Sequence, residues 1–486
     1  MKRFLYKYRS TKQLLDQFHE LENQELYFAS PEELNDPMEG YKDIFWSGDA
    51  IVWRNLLKHF ILSLEHVFCI FSLSNLSGNT IDLKTVDLPI FKTENDLPDP
   101  HKGYFNEICS LFFSDKQTAQ YPDQLAKINY PIRADELTSH LQALVLHALL
   151  CIIKVHSLKG LMQKLSDETL NALQKESQKR IKSDMNAIKI LRKMKKEARV
   201  DLLAESVHLV SKHDDNQCSK IHNKVIQCAF ANKLNQKFLL LYFAEKYVAN
   251  LKKIIHPNCY ITCFSADYKN ASMWGHYADS HKGICLKFKT HLSHNKIAVK
   301  LQTIQAIFDR KGQKEYVYNN APFTARKVIY HQGYPQIDFF RYMGRLSRPQ
   351  LISWYQNNEG AISTCSEDVF KNNETWMEKY WASHYENISI KLKDWNYEKE
   401  YRLVLNGMSF DYSEKIHRKL KYDFSDLDGI IFGIQTTEED KQAIIKIIEE
   451  KCKGAGRKNF DFYQAYYCRH SRKIKSIKMN MLDINN

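Results

Sequence analysis

The chain has 486 residues, a formal charge of +13, 44% hydrophobic residues and abundant aromatics, with 27 Tyr and 26 Phe. That content excludes wholesale disorder, and the length exceeds one ordinary core, so two or three domains or one domain with a large insertion are expected. The 11 Cys form no Cys-x-x-Cys pair, and no apolar h-region follows Met1, Lys2 and Arg3, which points to a soluble cytoplasmic protein with reduced thiols, in a bacterium or in a host cytosol if injected.

Phe4, Tyr6 and Tyr8 alternate with Leu5, Lys7 and Arg9, the period of a strand, and Thr11 then caps a helix carrying Leu14, Leu15, Phe18 and Leu21. Leu26 to Ala29 returns as a second strand, followed by a turn-rich loop from Ser30 to Gly40 that holds Asp36 and Glu39. A third strand is expected over Val67 to Phe71, and residues 80–100, with Pro89, Pro98 and Pro100, read as a linker or surface loop. From Asp135 to His256 the chain has one Gly, Gly160, and no Pro, the mark of helices. Leu161, Leu165, Leu170, Leu173, Ile188, Ile190, Leu191, Leu202, Leu203, Val207 and Val210 recur there at spacings of three and four, which predicts a helical bundle or arm.

Strands return at Tyr260 to Ser265, Ile284 to Lys289 and Ala298 to Ile307, with a helix over Asn270 to His281 between the first two. Phe339 to Tyr385 reads as aromatic-rich helix. The closing unit is a buried strand over Leu427 to Phe432 and a helix from Glu438 to Lys451, capped by Thr436 with Glu439. These elements divide the chain into the N-terminal part of an α+β core (1–80), a mainly helical, basic insertion (81–255), the C-terminal part of the core (256–450) and a basic tail (451–486).

The positive charge is concentrated. Residues 151–200 carry thirteen Lys/Arg against five Asp/Glu, and residues 451–486 carry nine against two. Such patches hold nucleic acid by charge, or are simply solvated faces.

The run Trp395 to Val404 has a two-residue period that sorts Glu398, Glu400 and Arg402 from Trp395, Tyr397, Tyr401 and Leu403. It is either a functional strand or a surface ladder of ion pairs. Glu398 and Glu400 would lie about 6.6 Å apart on one strand face. Paired carboxylates at that separation suit reactions at an anomeric carbon, with sugar hydrolysis and loss of nicotinamide from NAD both in that class. Met273 to Gly283 places His276 and Ser280 one helical turn apart beside Trp274 and Tyr277, a platform for a flat ligand or a piece of core. Cys259, Cys263, His276, His281 and Cys285 suggest zinc by type, but two Cys four residues apart on a strand are separated by about 13 Å, so no metal is expected. There is no Gly-x-Gly-x-x-Gly, no Walker-type Lys and no Gly-x-Ser-x-Gly.

At these residues the chain resembles the bacterial family named domain of unknown function 2971. The matching pieces are Leu5-Tyr6-Lys7-Tyr8-Arg9, Leu26 to Pro31 leading into Leu34-Asn35-Asp36-Pro37-Met38-Glu39, Cys263-Phe264-Ser265, Met273 to Ala278 through Gly283, Lys327-Val328-Ile329-Tyr330, and Lys393 to Arg402. The order of pieces also resembles that of ADP-ribosyltransferases, with a basic residue on a first strand, Ser on a middle strand and Glu-x-Glu on a late one. This sequence departs from them in lacking Ser-Thr-Ser on the middle strand and His on the first. The resemblance implies two small packed sheets in a split β core with a large helical insertion. It further implies NAD as substrate and an ADP-ribosyl transfer or NAD cleavage directed at a macromolecular acceptor, as in a bacterial effector, toxin or defence protein. Glu400 would stabilise the ribosyl cation beside Arg402, Glu398 would orient the acceptor, and Lys7 or Arg9 with Ser265 would fill the binding positions. Tyr8 or Trp274 would stack on nicotinamide, flanked by His276 and Tyr277. The competing reading is a non-enzymatic nucleic-acid-binding protein that uses residues 151–200 and 451–486; no membrane partner is expected.

Overall fold

The structure, a computed structural model, describes residues 4–36, 38–77, 81–83, 85–202, 235, 237–310, 313–331, 333–407 and 410–479. Two compact units divide the chain: residues 1–42, 257–335 and 384–486 form one, and residues 43–256 and 336–383 the other.

The first unit carries an eight-stranded sheet. Its strands are β1 (Phe4–Arg9), β2 (Cys259–Ser265), β3 (Ile284–Lys289), β4 (Arg326–Lys327), β5 (Glu400–Asn406), β6 (Leu427–Phe432), β7 (Asp461–Cys468) and β8 (Lys473–Lys478), in the spatial order β8-β7-β6-β3-β1-β2-β5-β4. Neighbours are antiparallel except β6 and β7. A second sheet joins Glu25–Tyr27, Lys419–Tyr422, Lys296–Arg310 and His291–Ser293, with Gln313–Thr324 paired to Lys296–Arg310. The sheets pack face to face because each turns an apolar side inward: Leu286, Phe288, Leu403 and Leu405 of the first share one buried cluster with Leu26, Val299, Leu301 and Leu420 of the second. The expected α+β class with two packed sheets is what forms.

β1 is the strand that shapes the site. It pairs with β3 at six positions, Phe4 to Arg9, but with β2 at one, Tyr6 opposite Ser265. Tight contact on the β3 side depends on Gly283, where a Cβ would lie 2.2 Å from the Arg9 carbonyl oxygen. On the β2 side the ladder stops after one pair, so the sheet splits there.

Three expectations change. Residues 451–479, expected as part of a basic tail, belong to the folded unit: β7 and β8 extend the sheet, and the exposed Lys473 and Lys475 sit on its outermost strand, where charge blocks further pairing. The cap of helix Glu438–Ala455 is Thr437, whose hydroxyl accepts from the Asp440 N–H (3.2 Å), while Thr436 donates to the Gly283 carbonyl (2.8 Å). Val67 to Phe71 is not a strand but part of helix Ala50–Ser77. Its β-branched and aromatic residues favour a strand locally, yet no Gly or Pro interrupts residues 49–77, and Leu64, Val67, Phe68 and Phe71 are buried at helical spacing. The N-terminal part of the core therefore ends at 42 rather than 80.

The second unit is mainly helical. Helices Ala50–Ser77, His101–Ser114, Lys116–Ala126, Ala134–Leu158, Asp167–Leu191 and Phe243–Ile255 share one core with Phe339, Phe340 and Trp354. Most of the stretch Phe339 to Tyr385, expected in the C-terminal core, thus belongs to this unit because its aromatics pack on Trp46 and Trp53. Helix Asp167–Leu191 buries Leu173, Ser177, Ile181, Met185 and Ile188, leaving Lys175, Lys179, Lys182 and Lys189 on the exposed face. Helices Ala50–Ser77 and Ala134–Leu158 are long and apolar enough to cross a membrane, and both are mostly buried within their own unit. The helical positions Leu203, Val207 and Val210 lie outside the described residues.

Candidate active site

The run Trp395 to Val404 divides at Lys399 instead of forming one strand. Lys393–Glu398 is a 3-10 helix, Lys399 has a φ of 47°, and the chain becomes extended only from Glu400, in β5. Aromatic and polar residues alternating over a few positions do not distinguish the two forms; tertiary hydrogen bonds do. The Ser265 hydroxyl donates to the Glu398 carbonyl (2.7 Å), the Ala266 N–H to the Lys399 carbonyl (3.0 Å), and the Glu400 N–H to the Tyr330 hydroxyl (2.9 Å).

Glu398 and Glu400 consequently do not share a strand face, yet one ammonium joins them. Lys391 Nζ lies 2.7 Å from Glu398 Oε2, 3.4 Å from Glu400 Oε2 and 3.4 Å from Glu39 Oε2. Arg402 completes the cluster: its Nε is 2.8 Å from Glu400 Oε1, its Nη2 is 2.5 Å from Glu39 Oε1, and its Nη1 donates to the Ile388 carbonyl. Exposure is 2% for Glu398, 4% for Glu400 and 0% for Arg402, so this is no surface ladder. Three carboxylates and two cations this deep survive only because each has a partner of opposite charge.

The two carboxylates of the Glu-x-Glu pair differ in proton affinity. Burial pushes Glu400 up, but the Arg402 guanidinium and the Lys391 ammonium outweigh it and hold the carboxyl at about 2. Glu398 moves the other way, raised by burial against the opposing pull of Lys391 and of Tyr277. Lys391 itself is held protonated: burial works against its charge, and Glu400, Glu39 and Glu398 together prevail. Lys391, 2.7 Å away, pulls against burial, and Glu398 keeps the higher proton affinity of the two. The Tyr277 hydroxyl also donates to Glu398 Oε1 (2.5 Å). Tyr277→Phe is expected to lower stability by about 1.5–3 kcal/mol, the usual worth of a hydrogen bond to a charged group; urea unfolding that moved by less than a few tenths would show that water replaces the phenol.

Above this cluster opens a cavity of about 590 Å³, bounded by the split between β1 and β2. Its walls include Lys7, Arg9, Ser265, His276, Tyr277, Glu398 and Glu400. Lys7 reaches across the split, its Nζ 2.8 Å from Thr262 Oγ1 and 3.1 Å from the Cys263 carbonyl, supplying the donor that backbone pairing would otherwise give. Arg9 is tied to Glu20 (2.7 Å). Helix Ala271–Tyr277, capped by Asn270, carries the exposed His276 and the half-buried Tyr277, and the turn after it holds Asp279, Ser280 and His281 at φ of 45°, 51° and 71°. Consecutive left-handed L-residues store strain of order 1 kcal/mol or more each, the kind that surrounding packing sustains at functional sites.

The structure removes two candidates from direct ligand contact. Trp274 is fully buried, its N–H donating to the Tyr268 carbonyl (2.7 Å), one face stacked on His281 and an edge on Tyr8, so it is core and offers no platform. Arg402 lies behind the carboxylates rather than at the cavity wall, where it positions Glu400 and Glu39. Tyr8 touches the cavity but is 5% exposed, with its hydroxyl bonded to the Asp267 carbonyl (3.1 Å), and Ser265 spends its hydroxyl on backbone. Glu39, Lys391 and Tyr330 were not among the expected site residues. Glu39 and Tyr330 lie in the motif pieces Leu34 to Glu39 and Lys327 to Tyr330; Lys391 shows only as a charge between Ile390 and Leu392. Asp36 positions Glu39 by closing a turn, its Oδ1 accepting from the Met38 N–H (2.9 Å) and its carbonyl from the Glu39 N–H (2.9 Å).

Fold and site together define an α+β protein with a cavity floored by a buried ion cluster. Residues 273–403, which include Tyr277, Lys391, Glu398, Glu400 and Arg402, match the family described as protein of unknown function (DUF2971). No curated protein and no solved structure matches the chain.

Proposed function

We propose that the cavity binds NAD and that the chain cleaves its nicotinamide bond, passing the ADP-ribosyl group to a macromolecular acceptor or to water. The observation that carries this reading is the register across three adjacent strands: Ser265 of β2 lies opposite Tyr6 of β1 on one side and Glu400 of β5 on the other. A basic residue beside Tyr6, a serine and a Glu-x-Glu carboxylate are thereby gathered around one split. The cavity has the volume of ordinary small-molecule sites, and Arg9, Lys415 and Lys419 at its walls are cations whose present partners are carboxylates that a pyrophosphate can displace.

In the proposed reaction the bond between the anomeric carbon and the pyridinium nitrogen breaks with its electron pair on nitrogen, releasing neutral nicotinamide. Glu400, ionised and fixed by Arg402, stabilises the cation left on the ribose. Glu398, with the higher proton affinity, takes the proton from the attacking acceptor. Purified protein, alone and with cell lysate, is expected to release nicotinamide from NAD. Glu400→Gln is expected to cut that rate by about 100-fold or more, and Glu398→Gln to impair transfer to the acceptor more than cleavage. Absence of both NAD binding and nicotinamide release would overturn the reading. Salt-dependent binding of DNA or RNA that survives both substitutions would then make the basic faces the better lead.

A further inference from the structure

The helical unit contains a second cluster, far in character from the cavity: Glu65 and Cys69 on helix Ala50–Ser77 and His156 on helix Ala134–Leu158. We propose that these three side chains bind a zinc-class divalent ion. Glu65 and Cys69 are one turn apart and share a helix face. One donor atom of each of the three residues lies within 4.8 Å of the others, and His156 Nε2 is already 3.1 Å from Glu65 Oε1. A tetrahedral ion with bonds of about 2.0–2.3 Å separates its ligand atoms by roughly 3.3–3.8 Å, so side-chain rotation alone brings the three donors into place.

The donor set also selects the metal class. A thiolate and an imidazole favour zinc over magnesium or calcium, which take oxygen ligands. The charges balance: one carboxylate and one thiolate neutralise a dication, which suits a site where the Glu65 and His156 side chains are each 7% exposed. His156 lies in the last turn of its helix, where the macrodipole favours a cation. Cys69 is only half-buried, which gives an ion a way in and leaves a fourth position for water.

The test uses the full-length reduced protein, stripped with a chelator and titrated with Co²⁺. One ion per chain is expected, with a thiolate-to-cobalt charge-transfer band in the near ultraviolet, intense tetrahedral d–d bands, and displacement by Zn²⁺. Cys69→Ser is expected to abolish the charge-transfer band and weaken binding by about 100-fold or more, at least what removal of an outer partner costs, while Cys109→Ser changes neither. In the unmutated protein Zn²⁺ is expected to protect Cys69 from alkylation, read by peptide mass mapping, so a poorly folding variant does not decide the matter. A parent protein that binds no Co²⁺ saturably, a band that survives Cys69→Ser, or alkylation of Cys69 that Zn²⁺ leaves unchanged would each reduce the cluster to a Glu65–His156 ion pair beside a bystander thiol.

Discussion

Arg402→Met is expected to lower stability by about 3–5 kcal/mol, the cost of removing one partner from a buried ion cluster. Met matches the length of the stem and keeps the packing, so the loss isolates charge. Without the guanidinium, Glu39 loses its 2.5 Å partner and Glu400 loses both arms of its clamp, leaving Lys391 to balance three carboxylates. The pH dependence is expected to change sign as well. In the parent, Glu400 titrates at about 2 when folded and near 4.3 when unfolded, so its contribution is present above the unfolded value and is lost as pH falls from there toward 2. In the variant, burial and neighbouring anions dominate and raise the folded value above the unfolded one, so stability falls as pH rises through that window. Urea unfolding at several pH values reads both effects, and adding Glu39→Gln is expected to recover part of the loss. A loss below about 1 kcal/mol with an unchanged acid slope would mean that the carboxylates are hydrated and the cluster is not dry.

The same cluster explains how much of the site was legible in the sequence. The strands Phe4 to Arg9 and Tyr260 to Ser265, rich in aromatic and β-branched residues, follow from local pattern, and so does the helix that buries Leu173, Ser177 and Ile181. The Glu-x-Glu-x-Arg sequence marks the buried ion cluster for a misleading reason. Its period suggests three charges on one strand face, but the Ser265 hydroxyl and the Ala266 N–H hold a turn at Glu398 and Lys399, and the charges converge through Lys391 instead. Lys391 and Glu39 lie seven and 361 positions from Glu398 and Glu400 respectively, and no periodicity connects such residues; pairing of Tyr330 with Lys391 across two short parallel strands places Lys391, and Glu39 joins through its ion pairs with Lys391 and Arg402. Trp274 illustrates the opposite error. An aromatic beside two imidazoles reads as a ligand platform, but a large indole on the inward face of a short helix is worth more buried, about 2–3 kcal/mol for a side chain of that size.

Lys7→Met is expected to make the protein more stable at acid and neutral pH, with the advantage shrinking as pH rises. Burial, with a smaller push from Arg9, lowers the Lys7 ammonium to about 7, and among the described residues no carboxylate forms an ion pair with it. Its acceptors are a hydroxyl and a carbonyl, which suit a neutral amine as well as a charged one. Because the unfolded chain holds this proton up to about pH 10.4, it binds more protons than the folded state between pH 7 and that value, and stability of the parent rises with pH across the window. The Lys7 contribution changes by about 3 kcal/mol between roughly pH 6 and roughly pH 9. The stability difference between variant and parent isolates it, since the lost hydrogen bonds shift that difference by a nearly constant amount. Parallel stability curves for the two proteins would mean that Lys7 stays charged and finds water in the split. A lysine poised in this way also bears on ligand entry. An anion reaching the cavity restores the ammonium form, so binding of a pyrophosphate is expected to take up a proton near Lys7 and to weaken above about pH 7, whereas in Lys7→Met the affinity is lower and flat with pH. Calorimetry in buffers of different ionisation enthalpy reads the proton directly, and binding of NAD with no net uptake would place its phosphates on Arg9, Lys415 and Lys419 alone.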